Sequence, residues 1–235
     1  MLPLSFLTHL TFDDRFNEPL EDLELPASLT HLTFGVDFNQ PLEKLHLPAS
    51  LTHLTFGFKF SQPIDGKLPA SLTHLKLGYW FDYGLTHFPA SFTHLVLSDR
   101  FDAPIEHLFI DLPDSLTHLT FGWDFNQPIE HFKLPTSLTH LTFGVAFDQP
   151  IDNLKLPASL THLTFGRCFD HPVDKLKLPP RLTRLEFGDY FNQKMDKLLL
   201  PASLTYLALG TDFEQPIEEL NLPASVTVGE SQWQD

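Results

Sequence analysis

Apolar and polar residues recur along this chain in a fixed order. Counted from its first leucine, the stretch Leu29 to Ser50 is apolar at positions 1, 4, 6, 10, 14, 17 and 19. Related copies begin at Leu7, Leu51, Leu72, Phe92, Leu116, Leu138, Leu160, Leu182 and Leu204. Six of the nine steps between copies are 22 residues long, and the other three (21, 20 and 24) fall between Leu51 and Leu116. A period of this size means stacked units, each packed only on its neighbours. Positions 2 to 6, as in Thr30 to Phe34, are rich in β-favouring residues and predict a short strand. Gly follows at position 7 in eight copies, which predicts a turn needing a permissive backbone. Pro near positions 13 and 20 leaves no room for a long helix, so positions 17 to 20 read as an extended return.

One coil exposes too much apolar surface to offset the entropy of ordering it, so the coils must stack to fold. Position 10 is Phe in all ten copies, from Phe16 to Phe213, and predicts a continuous aromatic spine. The expected fold is mainly β: a single leucine-rich-repeat-like solenoid of about ten 22-residue coils over residues 1–227, with short strands, extended returns and no long helices. Residues 228–235 read as a C-terminal tail, with Gly229 to Trp233 covering the last coil. Asp13, Asp14 and Arg15 blunt the first.

The formal charge of −15 excludes a phosphate-binding surface, which needs clustered Lys and Arg, and disfavours anionic membranes. Cys168 is the single cysteine, so neither a disulfide framework nor a cysteine metal site is expected, and no neighbouring motif activates its thiol. The sequence contains no Asn-x-Ser/Thr acceptor, no basic-then-apolar leader and no apolar run of bilayer length. An intracellular, cytoplasmic protein is expected.

Leu-x-x-Leu-x-Leu/Phe followed by Gly, within a period near 22, resembles a leucine-rich repeat whose usual Asn corner has been replaced. Phe38-Asn-Gln-Pro-Leu42 and Phe125-Asn-Gln-Pro-Ile129, with Leu-Pro-x-Ser-Leu-Thr-His-Leu, are closer to the FNIP-repeat family of social amoebae and large DNA viruses. The resemblance spans nearly the whole chain and implies a protein-binding solenoid. Members often carry an F-box for ubiquitin-ligase recruitment, so it also implies an adaptor role. Copies four and five depart, with Gly84 in place of Pro and an inserted Phe109-Ile110-Asp111.

Three polar columns could carry chemistry. Position 3 is His9, His31, His53, His74, His94, His118, His140 and His162, then Arg184 and Tyr206. A ladder of neutral imidazoles bonded to Thr or water is the first reading, contact with a ligand the second, and zinc or copper binding the third, which lacks a closed ligand cage. Neighbouring imidazoles also disfavour each other's protonation, so their pKa values should be low. Position 15 is acidic in nine copies, among them Glu21, Glu43, Asp65, Glu106 and Glu130, and reads as a solvated face offset by lysines such as Lys133, Lys155 and Lys177 at positions 16 and 18. The Thr column at position 2 is complete from Thr8 to Thr205, but His and Phe interrupt any Thr-x-Thr array, so ice binding is not expected.

Positions 8 and 9 vary where the others are constant. Phe58, Tyr79, Trp80 and Trp123 fall there, beside the irregular step lengths, and aromatic residues are the usual interface anchors. Together with His53, His74, His94 and His118 they form the candidate contact surface for a protein partner. Every polar candidate belongs to a repeated column, which spreads chemistry rather than focusing it. The expected function is therefore a non-enzymatic binding module without metal or cofactor. Alternatives are a structural rod, monomeric or weakly associating end to end, and an enzyme or metal-binding surface on the His column.

Overall fold

The computed structural model describes residues 6–21, 23–102, 112–130 and 132–231. Eleven strands form one sheet: β1 (His9–Thr11), β2 (His31–Thr33), β3 (His53–Thr55), β4 (His74–Lys76), β5 (His94–Val96), β6 (His118–Thr120), β7 (His140–Thr142), β8 (His162–Thr164), β9 (Arg184–Glu186), β10 (Tyr206–Leu209) and β11 (Thr227–Glu230). Their order in the sheet is their order in the chain. All pair in parallel, and equivalent positions face each other, as in His31 with His53 and His53 with His74. The ladder runs a residue beyond each short strand: Thr52 N–H donates to Thr30 O and Phe56 N–H to Lys76 O, both at 2.9 Å. The sequence-predicted strand at positions 2 to 6 is therefore hydrogen-bonded throughout. Among the described residues there is no α-helix, and the returns run extended between turns closed by bonds such as Leu45 N–H to Leu42 O and Leu51 N–H to Pro48 O, with a short 3-10 turn at Ile217–Glu219.

Alternation places positions 4 and 6 inside and positions 3 and 5 on the strand face. Leu at positions 1 and 4 is fully buried through the middle coils, as in Leu51, Leu54, Leu138 and Leu141. Phe38, Phe60, Phe125, Phe147, Phe169 and Phe191 form the predicted spine, with centroids of successive rings about 6 Å apart. A second Phe column at position 6 interleaves with it: Phe34 lies 4.0 Å from Phe38 and 5.5 Å from Phe56. Copies four and five carry Leu77 and Leu97 at position 6 instead of Phe. There the shortened coil leaves a void of about 10 Å³ between Leu77, Phe81, Tyr83, Leu85, Leu97, Ser98 and Phe101.

The glycine column answers to a different demand from the one its position suggested. Among the described residues the positive-φ position is Gly66, outside the column. At position 7 the constraint is close approach: a Cβ on Gly57 would overlap the carbonyl oxygen of Gly35, and one on Gly144 that of Gly122. Glycine is needed because the backbones of successive coils touch.

Two further ladders were not anticipated. Position-22 serines donate to the position-1 carbonyl of their own copy, one coil back from the strand that follows them, as in Ser50 to Leu29 O and Ser137 to Leu116 O, both 2.6 Å. At the corner, Asn126 Oδ1 accepts from Asp148 N–H and from Gln149 Nε2, both 2.9 Å. Asn17, Asn39, Asp102, Asp170 and Asn192 repeat the arrangement. The Asn corner is therefore moved to position 11 rather than replaced, and position-12 Gln completes it.

The expected tail boundary at Val228 falls inside β11, so Val228, Gly229 and Glu230 extend the sheet beside β10. Half-buried Val226 and Val228 pack on the core and hold the chain there. Residues 232–235, the inserted Phe109-Ile110-Asp111 and Glu106 lie outside the described residues. No helix among the described residues is long and apolar enough to cross a membrane.

Candidate functional site

The strand face is built from positions 3 and 5, bordered by positions 8 and 9 past the C-terminal strand ends. In-register pairing stacks the eight imidazoles from His9 to His162 with centroids 3.9–4.1 Å apart. Each Nδ1 lies 2.8–2.9 Å from the hydroxyl of the preceding threonine. From Thr30 onward that hydroxyl also lies 3.0–3.2 Å from the position-2 carbonyl of the coil before. A hydroxyl has one hydrogen. Spent on the carbonyl, it leaves Thr Oγ1 to accept from the ring, so the imidazoles carry Nδ1–H and offer Nε2 lone pairs.

From His31 to His140, burial first and neighbouring imidazoles second hold the pKa values low, with His53 and His118 at about 4; at His162 burial is followed by Arg184. The expected depression is present, but desolvation outweighs the mutual repulsion anticipated as its cause. The column ends where Arg184 stacks on Tyr206, 4.1 Å from guanidinium carbon to ring centroid, while its Nε donates to Glu186. Parallel rings turn neighbouring lone pairs the same way, and no three His, Cys, Asp or Glu side chains converge among the described residues. The column is chemically a neutral row of hydrogen-bond acceptors.

Past the strand ends, the aromatic residues are brought together in part. Phe58 and Tyr79 stack at 4.4 Å, and Trp80 meets both edge-on at 6.3 and 5.5 Å. Phe58, Trp80 and Trp123 are each 44% exposed. Phe58 and Tyr79 line an open groove of about 310 Å³ that also takes in Asp14, Val36, Lys76 and Asp99. Trp123 does not join them. It lies two coils beyond Tyr79 at position 8, with Asp99 between.

Sequence reasoning missed the arginines of this border. Arg100 lies 4.5 Å over the Trp80 ring with Nε 3.8 Å from Asp124. Arg167 lies 5.7 Å from the Tyr190 ring and pairs with Asp189 at 3.1 Å. The signal was the sequence Trp80, Arg100, Asp124 down position 9, visible once copies are aligned. On the opposite side, the position-15 acids pair with position-16 lysines of the next coil (Lys44–Glu21, Lys175–Asp152, Lys197–Asp174) rather than with Lys133, Lys155 or Lys177. Cys168 is half-buried, and burial pushes its thiol pKa up.

Parallel coils in register, Leu inside at positions 1 and 4 and a polar strand face define a leucine-rich-repeat-like solenoid. Within that class the chain belongs to the FNIP-repeat family, whose repeat matches residues 2–37, 16–59, 83–122, 109–146, 125–168, 147–190, 169–212 and 191–228. It is 45% identical to the giant-virus protein CroV588, a circular leucine-rich-repeat protein, over 95% of this chain and 36% of that one, with a TM-score of 0.80. YopM from Yersinia enterocolitica shares the fold at 23% identity and a TM-score of 0.59, over 88% of this chain and 42% of YopM. This chain thus spans about a third of CroV588 and under half of YopM. No curated protein matches the sequence.

Proposed function

We propose that this chain is a non-enzymatic binding module that grips a protein partner on its strand face, centred on copies three to six. The observation that carries this reading is the cluster of Phe58, Tyr79 and Trp80 beside an open groove, on a border of variable positions in a repeat whose other columns are largely constant. Aromatic anchors in a shallow groove, rimmed by polar groups, are how protein interfaces concentrate their energy. The Nε2 acceptors of His53, His74, His94 and His118 run alongside and suit a partner's N–H and O–H donors. The charge of −15 favours a basic partner surface over nucleic acid. Recruitment of a bound target to other machinery is the adaptor form of the same reading.

Pulldown from the source cell with wild type, Trp80→Ala and Trp123→Ala tests it. Loss of one specific partner by both variants, with melting temperatures unchanged, supports the surface. Equal recovery by both removes it.

Self-association is the second reading. β1 and β11 bound the parallel sheet, and CroV588 is circular. Light scattering over a range of concentrations separates a monomer from an end-to-end assembly.

A further inference from the structure

Three arginines on this surface are held the same way. Arg100 lies over Trp80 and pairs with Asp124, each residue one coil from the next. Arg167 faces Tyr190 and pairs with Asp189. Arg184 stacks on Tyr206 and pairs with Glu186. Each time a guanidinium has a ring face on one side and a carboxylate within reach. The pairing suits its chemistry: the delocalised cation is weakly hydrated, stacks on π faces and bonds carboxylates in plane.

Position 8 repeats this arrangement with one component absent. Tyr79, Asp99 and Trp123 succeed one another on adjacent coils. The Asp99 carboxylate is exposed and Trp123 is 44% exposed, and among the described residues Asp99 has no ion-pair partner and the Trp123 ring no stacking partner. Tyr79 gives one face to Phe58, which leaves its other side toward Asp99. Strand spacing puts the Tyr79 and Trp123 backbones roughly 9–10 Å apart. Two rings at that separation, leaning slightly, can enclose a cation about 7 Å from face to face over a carboxylate floor. Lys76 lines the same groove but forms no ion pair with Asp99, and Arg100, next to Asp99 in the chain, is taken up by Trp80 and Asp124.

We infer that Tyr79, Asp99 and Trp123 form an open slot for an arginine side chain of the protein partner. This rests on the binding reading above and specifies the chemistry of its central contact. Lysine fits less well, because its strongly hydrated ammonium loses more on leaving water and cannot stack as a plane. The partner's arginine would occupy position 8 much as Arg100 occupies position 9.

The test selects phage-displayed random heptapeptides on immobilised wild type, Asp99→Asn, Trp123→Phe and Trp123→Ala. Selected sequences are scored for arginine, and the best wild-type peptide is titrated against each variant. Arginine enrichment on wild type, a roughly tenfold weaker fit to Asp99→Asn and to Trp123→Ala, and partial rescue by Trp123→Phe are expected. Unchanged melting temperatures exclude misfolding. Enrichment without arginine, lysine preferred over arginine, or arginine enrichment that survives Asp99→Asn overturns the slot and leaves the binding surface standing. If wild type selects no peptide yet the pulldown recovers a partner, the slot alone falls. If neither yields a ligand, both fall.

Discussion

His53 and His74 stack face to face, with ring centroids 3.9 Å apart and planes 14° from parallel, and each Nδ1 lies 2.8 Å from its own threonine hydroxyl. Both rings are half-buried, so a proton on either costs hydration and meets a like charge next door. The folded pKa of His53 and His118 is about 4, against 6.5 for a free imidazole. Between those values the unfolded chain binds more protons than the folded one, so acid favours unfolding. The stabilisation is fully present above about pH 6.5 and fades as pH falls toward 4. Urea midpoints at about pH 7.5 and about pH 5 should show the drop, and His53→Gln with His118→Gln should lessen it. A double variant that loses as much as wild type would show that these two rings do not carry the acid sensitivity.

The tautomer can be observed directly. Because Thr30 spends its hydrogen on Thr8 O, His31 must carry Nδ1–H, and the same holds up the column to His162. Long-range nitrogen–proton correlation spectra above pH 7 should report protonated Nδ1 and bare Nε2 for these seven residues. Nε2–H signals would contradict the hydroxyl-to-carbonyl ladder.

The glycines separate two kinds of requirement. Gly57→Ala and Gly144→Ala drive a Cβ into the backbone of the coil before, and should each cost upward of about 2 kcal/mol by forcing coils apart. Gly66→Ala meets open space and pays only for a left-handed φ of 71°, about 1–2 kcal/mol. Gly66→Asn should recover part of that. Denaturant curves on all four variants check the ranking.

Core and corner can be compared within a single coil. Phe125→Ala empties a fully buried site between stacked rings and should cost about 3–5 kcal/mol. Its neighbour Asn126→Ala orphans the Asp148 N–H and should cost about 1–2 kcal/mol. A corner variant as costly as the core variant would mean that the Asx ladder, not the rings, holds coils together.

The coil was largely legible because its physics repeats: alternation marked the strand, and ten phenylalanines in one column could lie only inside. What the repeat concealed was direction between coils. Gly35 and Gly57 read as turn residues, since a sequence shows which residue follows but not which backbone lies beneath it. The bonds that Asn39 and Asn126 make were likewise hidden, because a side chain bonding to the next coil leaves no mark on its own. At the candidate site, Phe58, Tyr79 and Trp80 were found by their variability. The role of Arg100 and the isolation of Trp123 emerged only when position 8 and position 9 were separated in space.

The division of labour between invariant and variable columns has a decisive test. Phe58→Val, Tyr79→Val, Trp80→Ala and Trp123→Val, made together, replace each ring with a residue that other copies carry at the same position, as in Val36, Val145 and Ala146. Partner recovery by this folded quadruple variant is the quantity to measure, alongside its melting temperature. Recovery should vanish while melting stays within a few degrees of wild type. Undiminished recovery, or unfolding on the scale of Phe125→Ala, would show that these rings build the coil rather than recognise another protein.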